Sequence, residues 1–563
     1  MIPHVALGKL LTILSKDHPT LPKDPRTLLK TVTCVKTTEL SGGVYHHSGI
    51  ESGILSQFLV SPELQKLTSV SMQVNVDGLP LFKSSNAQFW PVLGLIEQYV
   101  CNVQQNKLPF VIGLYYGKKK PSSLHFLNPF VEEAQRLEAE GVLFERRALP
   151  FKISTFICDA PARALVRNVK GHSGYYGCDK CVQKGVHYEN RMTFPQTDSA
   201  PRLDHAVRDE LSDDSHQCGE TPLALLSVGL VTQFPLDYMH LVCLGVTRKL
   251  LHLWLKGRRL TRFSPSMVKE LSRVLLTFTP HVPCEFNRKQ RSMEDVERWK
   301  ATEFRQFLLY TGPVSLKGLV PTQVYNNFML LSVGITILLN VSLCADLADY
   351  AHRILVLFVD HCSKLYGKEH VTYNMHGLVH LSQDAKKYGV LDNISCFPFE
   401  NFLGCLKKLL RKPAQPLEQV VRRLSERSQH RRTNISKTRS LREHNHGPLL
   451  NGLSVKKQYE ECYFQDFVVK RSEGDNCVLL ENKDIVVIQN VVVDEMDNTL
   501  LIYKRFRNMV DFFTYPVESS KLGIFHLSGL SETLRFTHIA NVQKKYYLLP
   551  CLDGKAGFPL IHL

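Results

Sequence analysis

"VSMQVNVDGLPLF", Val70 to Phe82, carries two signals back to back. Val70, Met72, Val74 and Val76 alternate with Ser71, Gln73, Asn75 and Asp77, the period of a strand with one buried face. Asp77-Gly78 then separates this run from a second apolar one. That is the strongest short-range hairpin signal, because a tight two-residue turn needs positive φ at both central residues. Asp77 is therefore expected in a turn. It becomes a candidate metal ligand as well if further acids stand where strand ends converge.

Working outward, "QFWPVLGLIEQ" (88–98), "FVIGLYYG" (110–117) and "FKISTFICD" (151–159) read as strands, with a helix over "EEAQRLEAEGV" (132–142). The texture is α/β, with early strands able to form hairpins. Residues 1–68 read as a lead-in of short helices and loops, with "LPKDPRTLLK" as a Pro-punctuated helix start. Residues 183–221 have the composition of a loop. Helical periodicity follows in "DYMHLVCLGVTRKLLHLWLKG", "SMVKELSRVLLTF" and "ATEFRQFLLY", and a later helix, "PFENFLGCLKKLLRK", opens at Pro398. Alternation returns after Gly447. The expected division is 1–68, 69–236, a helical stretch 237–370, 371–447, and a separate β-rich domain 448–563.

The chain has 563 residues, 44% hydrophobic and 22% charged, room for two to four domains. Its start, "MIPHVALGKLLTIL", lacks the basic start and cleavage site of a secretory signal. Fifteen scattered cysteines suit a reduced, intracellular chain better than a disulfide scaffold. "FMLLSVGITILLNVSLCA" (328–345) is long enough to span a bilayer. Ser332, Gly334, Thr336, Asn340 and Ser342 interrupt it, so it is read as a buried helix and no membrane partner is expected.

The net charge of +16 is unevenly placed. Residues 401–442 hold twelve Lys or Arg against Glu418 and Glu426, which points to a polyanionic partner, nucleic acid ahead of a membrane surface. Lys407, Lys408 and Arg411 fall seven, eight and eleven residues after Glu400, on one face of a continuous helix. With Arg422 and Arg423 they are the candidate DNA-binding cations.

Asp159 ends a strand and precedes a helix, a natural N-cap, and Glu400 sits in a first turn, where the helix dipole favours an acid. Between them "GYYGCDKC" places Cys178 and Cys181 as half of a zinc site or a redox pair. Zinc needs two further ligands. "NMHGLVHL" offers His376 and His380, four apart on a helical face; His187, Cys218 and His240 are other candidates.

Taken in order, "LPKDPRTLLKT", "VNVDGLPLFKSS", "CDAPARALVRNVKGHSGYYGCDKC", "FPLDYMHLVCLGVTRKLL", "WKATEFRQFLLYTGP" and "MHGLVHLSQDAKKYGVLDNISCFPFENFLGCLKKLLRKPAQPLEQVVRRL" resemble the CACTA (En/Spm-like) family of DDE transposases, over residues 20 to 430. The layout of acids, CxxC and HxxxH is also similar to the catalytic core of the RAG recombinase, with a histidine spacing one residue shorter. The resemblance implies an RNase H-like core interrupted by an all-helical insertion. It makes Asp77, Asp159 and Glu400 the catalytic triad, holding two Mg²⁺ or Mn²⁺ ions. It assigns Cys178, Cys181, His376 and His380 to a structural zinc, and Asp237 and His240 to the family's DxxH motif.

The implied activity is metal-dependent cutting and joining of double-stranded DNA in the nucleus, by a homo-oligomer on DNA. No N-terminal zinc finger or helix-turn-helix is read in the sequence, so a separate end-recognition module or protein is expected. The basic stretch "RSQHRRTNISKTR" is a loose nuclear-targeting signal. The alternative is a domesticated, non-catalytic DNA- or chromatin-binding protein that keeps the fold and the zinc site.

Overall fold

The computed structural model describes residues 3–40, 42–97, 108–121, 123–205, 216–259, 261–429 and 442–561. The fold is mixed α/β and divides into two units. The first takes its described residues from 1–172, 202–235 and 396–437, the second from 173–201, 236–395 and 438–563. Most of the nuclear-targeting stretch, residues 430–439, lies outside the described residues.

The first unit is built on a sheet of β1 (Thr38–Leu40), β2 (Gly43–His47), β3 (Val70–Val76), β4 (Leu79–Pro80), β5 (Gln88–Ile96), β6 (Phe110–Gly117) and β9 (Phe151–Phe156); β7 (Val142–Phe144) and β8 (Arg147–Leu149) form a separate hairpin. The order is β1-β2-β6-β5-β3-β9, with β4 also on β5. All neighbours are antiparallel except β3 and β9, which run parallel. β1 and β2 correct the strandless expectation for residues 1–68. Their cause is tertiary: β2 is added to β6, giving that edge a partner.

All seven residues of β3 are buried, not one face only. Val70, Met72, Val74 and Val76 join a core with Phe126, Phe130, Ala134 and Leu137 of the helix Ser123–Glu140 and with Ala162 and Val166 of the helix Ala160–Arg167. The alternate side chains, Ser71, Gln73 and Asn75, are polar and buried too. Ser71 Oγ and Gln73 Nε2 donate to the Glu97 carboxylate at 3.1 and 2.8 Å.

Asp77-Gly78 is not a hairpin turn. Val76 pairs with Val92 of β5 and Leu79 with Phe89 of the same strand, so the chain continues along β5 and reverses later, where Leu81 N–H reaches Ala87 O at 3.0 Å. Neither Asp77 nor Gly78 has a positive φ. The glycine makes a close approach instead: a Cβ there would stand 3.0 Å from the Trp90 ring, which would have to give by a few tenths of an ångström.

In the second unit, no strand occurs among the described residues from 236 to 395, whose elements are helices joined by loops. Thr322–Leu339 is long and apolar enough to cross a membrane, and all its residues from Asn327 to Leu339 are buried. The apolar run is not one helix to Ala345. Asn340 takes extended backbone and caps a second helix, Val341–Tyr366, by accepting from Leu343 N–H at 3.2 Å.

Residues 443–560 form a β-rich, barrel-like region. Ile485–Asp494, Cys477–Leu480, Val542–Cys551, Gly554–Pro559, Phe525–Leu530 and Thr499–Asp511 pair in succession, and the last returns to pair with the first. This region shares contacts with the helices. Gln306 Nε2 donates to the Tyr547 hydroxyl at 3.3 Å, and Tyr310 and Phe286 pack on the Tyr547 ring.

Lys545, with no exposed surface, donates to Glu285 (2.7 and 2.9 Å), Asp475 (2.5 Å) and the Val468 carbonyl (2.6 Å), using all three ammonium protons. Removing the cation strands two carboxylates in a low-dielectric site, a loss of about 3–5 kcal/mol. Lys545→Ala is therefore expected to lower denaturant stability by that amount. Adding Glu285→Gln and Asp475→Asn should recover much of it.

Candidate active site and metal centre

The parallel pairing of β3 and β9 sets two acids side by side. Val74 is in register with Phe156, and Ile157 N–H continues the ladder to Val74 O at 2.8 Å. Three residues beyond each paired position stand Asp77 and Asp159, at the ends of adjacent strands ~4.8 Å apart. Asp159 caps the helix Ala160–Arg167, accepting from Ala162 N–H at 2.8 Å through one oxygen. Asp77 accepts from Gly78 N–H at 2.6 Å. Between them, burial pushes the Cys158 thiol up to about 12, and the negative charges of Asp159 and Asp77 push the same way.

Glu400 comes from the helix Phe397–Lys407. That helix starts with Cys396 against both acid-bearing segments: the Cys396 thiol lies 3.8 Å from Asn75 Nδ2 and 3.8 Å from the Ile157 carbonyl. Asn75 is two residues before Asp77 and Ile157 two before Asp159. Glu400 N–H bonds Cys396 O at 2.9 Å, which sets the acid one turn further along. At the far end Lys407 Nζ donates to Pro80 O at 2.6 Å, just past Asp77. The helix is pinned at both ends, with Glu400 between the pins. The three carboxylates are partly exposed, and their oxygens do not all lie within 4.8 Å of one another.

The helix ends at Lys407, so Arg411 does not share a helical face with Glu400. Pro413 and Pro416 lie just downstream, and the Gln419 side chain stitches the intervening loop by bonding Arg411 N–H, Lys412 N–H and two carbonyls. Lys408 and Arg411 are exposed. Arg422 donates to Thr33 O at 3.2 Å, and Arg423 is partly buried, its guanidinium pushed down by desolvation and by Arg411 nearby.

In the second unit, Cys178, Cys181, His376 and His380 close into one buried group. Sγ–Sγ is 3.4 Å, Cys181 Sγ to His376 Nε2 3.2 Å, Cys178 Sγ to His380 Nε2 3.6 Å, and Nε2 to Nε2 3.2 Å. The sulfurs are too far apart for a disulfide. A tetrahedral ion with bonds of ~2.0–2.3 Å would have edges of roughly 3.3–3.8 Å, so the donor set fits a metal. The histidine pair is not on one α-helix. A turn of α-helix, Tyr373–Gly377, tightens to 3₁₀ over Leu378–His380.

A second layer of bonds holds the group. The Tyr373 hydroxyl donates to Asp179, and Lys180 Nζ meets Asp384 at 2.7 Å, so both residues between the cysteines grip the histidine segment. Asp384 also accepts from Leu236 N–H at 2.8 Å. His187 lies on an exposed strand and Cys218 is exposed, and neither joins the group.

Asp237 caps the turn that follows it, accepting from Met239 and His240 N–H, and holds His240 Nδ1 at 2.6 Å. Two other groups of metal-ligating residues already hold a cation of the chain. Arg471 lies 3.2 Å from His444 and 3.0 Å from Glu460 beside His446, and Lys545 fills the group around Glu285 and Asp475.

Asn75, Cys396, Tyr373, Lys180 and Asp384 were missed from sequence. The signal for Asn75 was its place on the polar side of the β3 alternation; the others carried none.

Residues 443–560 match a family model described as a domain of unknown function (DUF8592). No curated protein matches the chain.

Proposed function

We propose that the chain is a DDE-type DNA strand-cleaving and strand-joining enzyme, a CACTA-like transposase or a protein derived from one, acting in the nucleus. What supports this reading is the parallel β3–β9 register, which puts Asp77 and Asp159 just beyond neighbouring strand ends, and the start of the Glu400 helix against both segments. The order β6-β5-β3-β9, antiparallel except for its last pair, supports an RNase H-like core, and the helices between the second and third acid support the helical insertion.

Asp77, Asp159 and Glu400 would hold two divalent ions, which supply an activated water and neutralise the leaving oxygen of a phosphodiester. Hard carboxylates suit Mg²⁺ or Mn²⁺. The chain's own part is to fix the three acids on strand ends and on a helix held at both ends. Cys178, Cys181, His376 and His380 are read as a structural zinc site, because two thiolates and two imidazoles at tetrahedral spacing match that ion.

Incubating the purified chain with supercoiled plasmid is expected to give Mn²⁺- or Mg²⁺-dependent nicks ending in 3′-hydroxyls, with none in EDTA. Binding without nicking in either metal would favour the non-catalytic alternative.

The cations for DNA are not on the barrel-like region, where residues 443–560 carry 13 Lys or Arg against 15 Asp or Glu. Lys408 and Arg411 are the exposed candidates, whereas Lys407 is committed to Pro80. Replacing both Lys408 and Arg411 by Ala is expected to weaken duplex binding and to flatten the log K against log salt slope by about 2. An unchanged slope would remove them from the interface.

A further inference from the structure

We infer that Asn75 is a positioning residue that sets the spacing of the three carboxylates, an inference resting on the metal-dependent reading above. Its side chain is 1% exposed, on the polar side of β3 and in line with Asp77. Nδ2 donates to Ile157 O at 2.7 Å and lies 3.8 Å from the Cys396 thiol. One amide therefore touches the segment bearing Asp159, the residue that opens the Glu400 helix, and, through its own backbone, the segment bearing Asp77.

The Ile157 peptide is held from both sides, its N–H by Val74 O and its carbonyl by Asn75. Ile157 follows the last residue of β9, and the main-chain ladder ends with its N–H. The side-chain bond replaces the missing ladder contact at the place where the two acids must be held level. Asn75 Oδ1 is buried without a partner. A valine or leucine would carry no such burden and would continue the alternation of β3, yet it could not hold the Ile157 carbonyl. Burying an amide costs desolvation that a valine avoids, and the bond to Ile157 O is what this amide supplies in return.

The test is Mn²⁺ binding to the full chain without DNA, by titration calorimetry, alongside thermal unfolding and duplex binding in EDTA. Asn75→Leu should keep duplex affinity and weaken Mn²⁺ binding by about 10–100-fold, the usual effect of losing an outer-layer partner. Cys396→Ala loosens the same contact from the helix side and should shift Mn²⁺ affinity in the same direction, so it decides the matter if Asn75→Leu fails to fold. A purely structural role would lower the melting temperature and leave Mn²⁺ affinity of the folded protein unchanged. That result in either folded variant overturns the positioning role. Asp77→Asn separates the two readings: if it binds Mn²⁺ as well as the parent, or the parent binds none, the metal site itself fails and the inference falls with it.

Discussion

Asp77→Asn, Asp159→Asn and Glu400→Gln are each expected to reduce metal-dependent strand cleavage by about 10³-fold or more, since the charge stabilisation a bound metal supplies is worth several kcal/mol. The fold should survive all three. Asn is as good an N-cap as Asp, so Asp159→Asn keeps the bond from Ala162 N–H and removes only the charge. Asp77→Asn likewise keeps an acceptor for Gly78 N–H. Glu400→Gln loses a first-turn acid, about 0.3–1 kcal/mol of dipole interaction. A nicking assay with thermal melts beside it separates the effects. Cleavage at the parental rate by any one variant would take that residue out of the site.

Cys178→Ser and His376→Ala are expected to act differently, by unfolding rather than by chemistry. Structural zinc contributes roughly 10–16 kcal/mol in small peptides, against about 5–15 kcal/mol of net stability in a typical domain. Here a second layer of bonds, Asp179 to Tyr373 and Lys180 to Asp384, holds much of the site without the ion, so the loss is smaller than in a peptide. A drop of about 10 °C in melting temperature is the expected scale, with one equivalent of zinc in the parent and none in the variants by elemental analysis. Parent protein without stoichiometric zinc, or a Cys181→Ser variant that melts as the parent does, would mean that the four residues do not share an ion.

Local chemistry made much of this legible. The alternation in Val70–Val76 announces a strand, Asp159 before "APARALV" a capped helix, and Pro398 a helix start, because each depends on residues a few positions apart. The CxxC and HxxxH pairs are equally local, and the structure joins them as one group. The Asp77-Gly78 reading failed for an instructive reason. Whether a chain reverses depends on what it pairs with next, and here β5 accepts the residues on both sides of the break.

Which residues could carry charge, ligate metal, cap helices and fill a core follows from side chains and their near neighbours alone. Where they meet follows from long-range pairing and packing. A parallel β3–β9 register across just over eighty residues of chain puts Asp77 and Asp159 just beyond neighbouring strand ends, and a buried Asn75 links both strands to the helix that bears Glu400. Tertiary packing likewise decided that Lys407 holds Pro80 and that Lys545 is buried between two acids. Such pairings are set by long-range packing and by the cost of leaving a buried polar group alone, and neither has a period or a motif that a sequence displays.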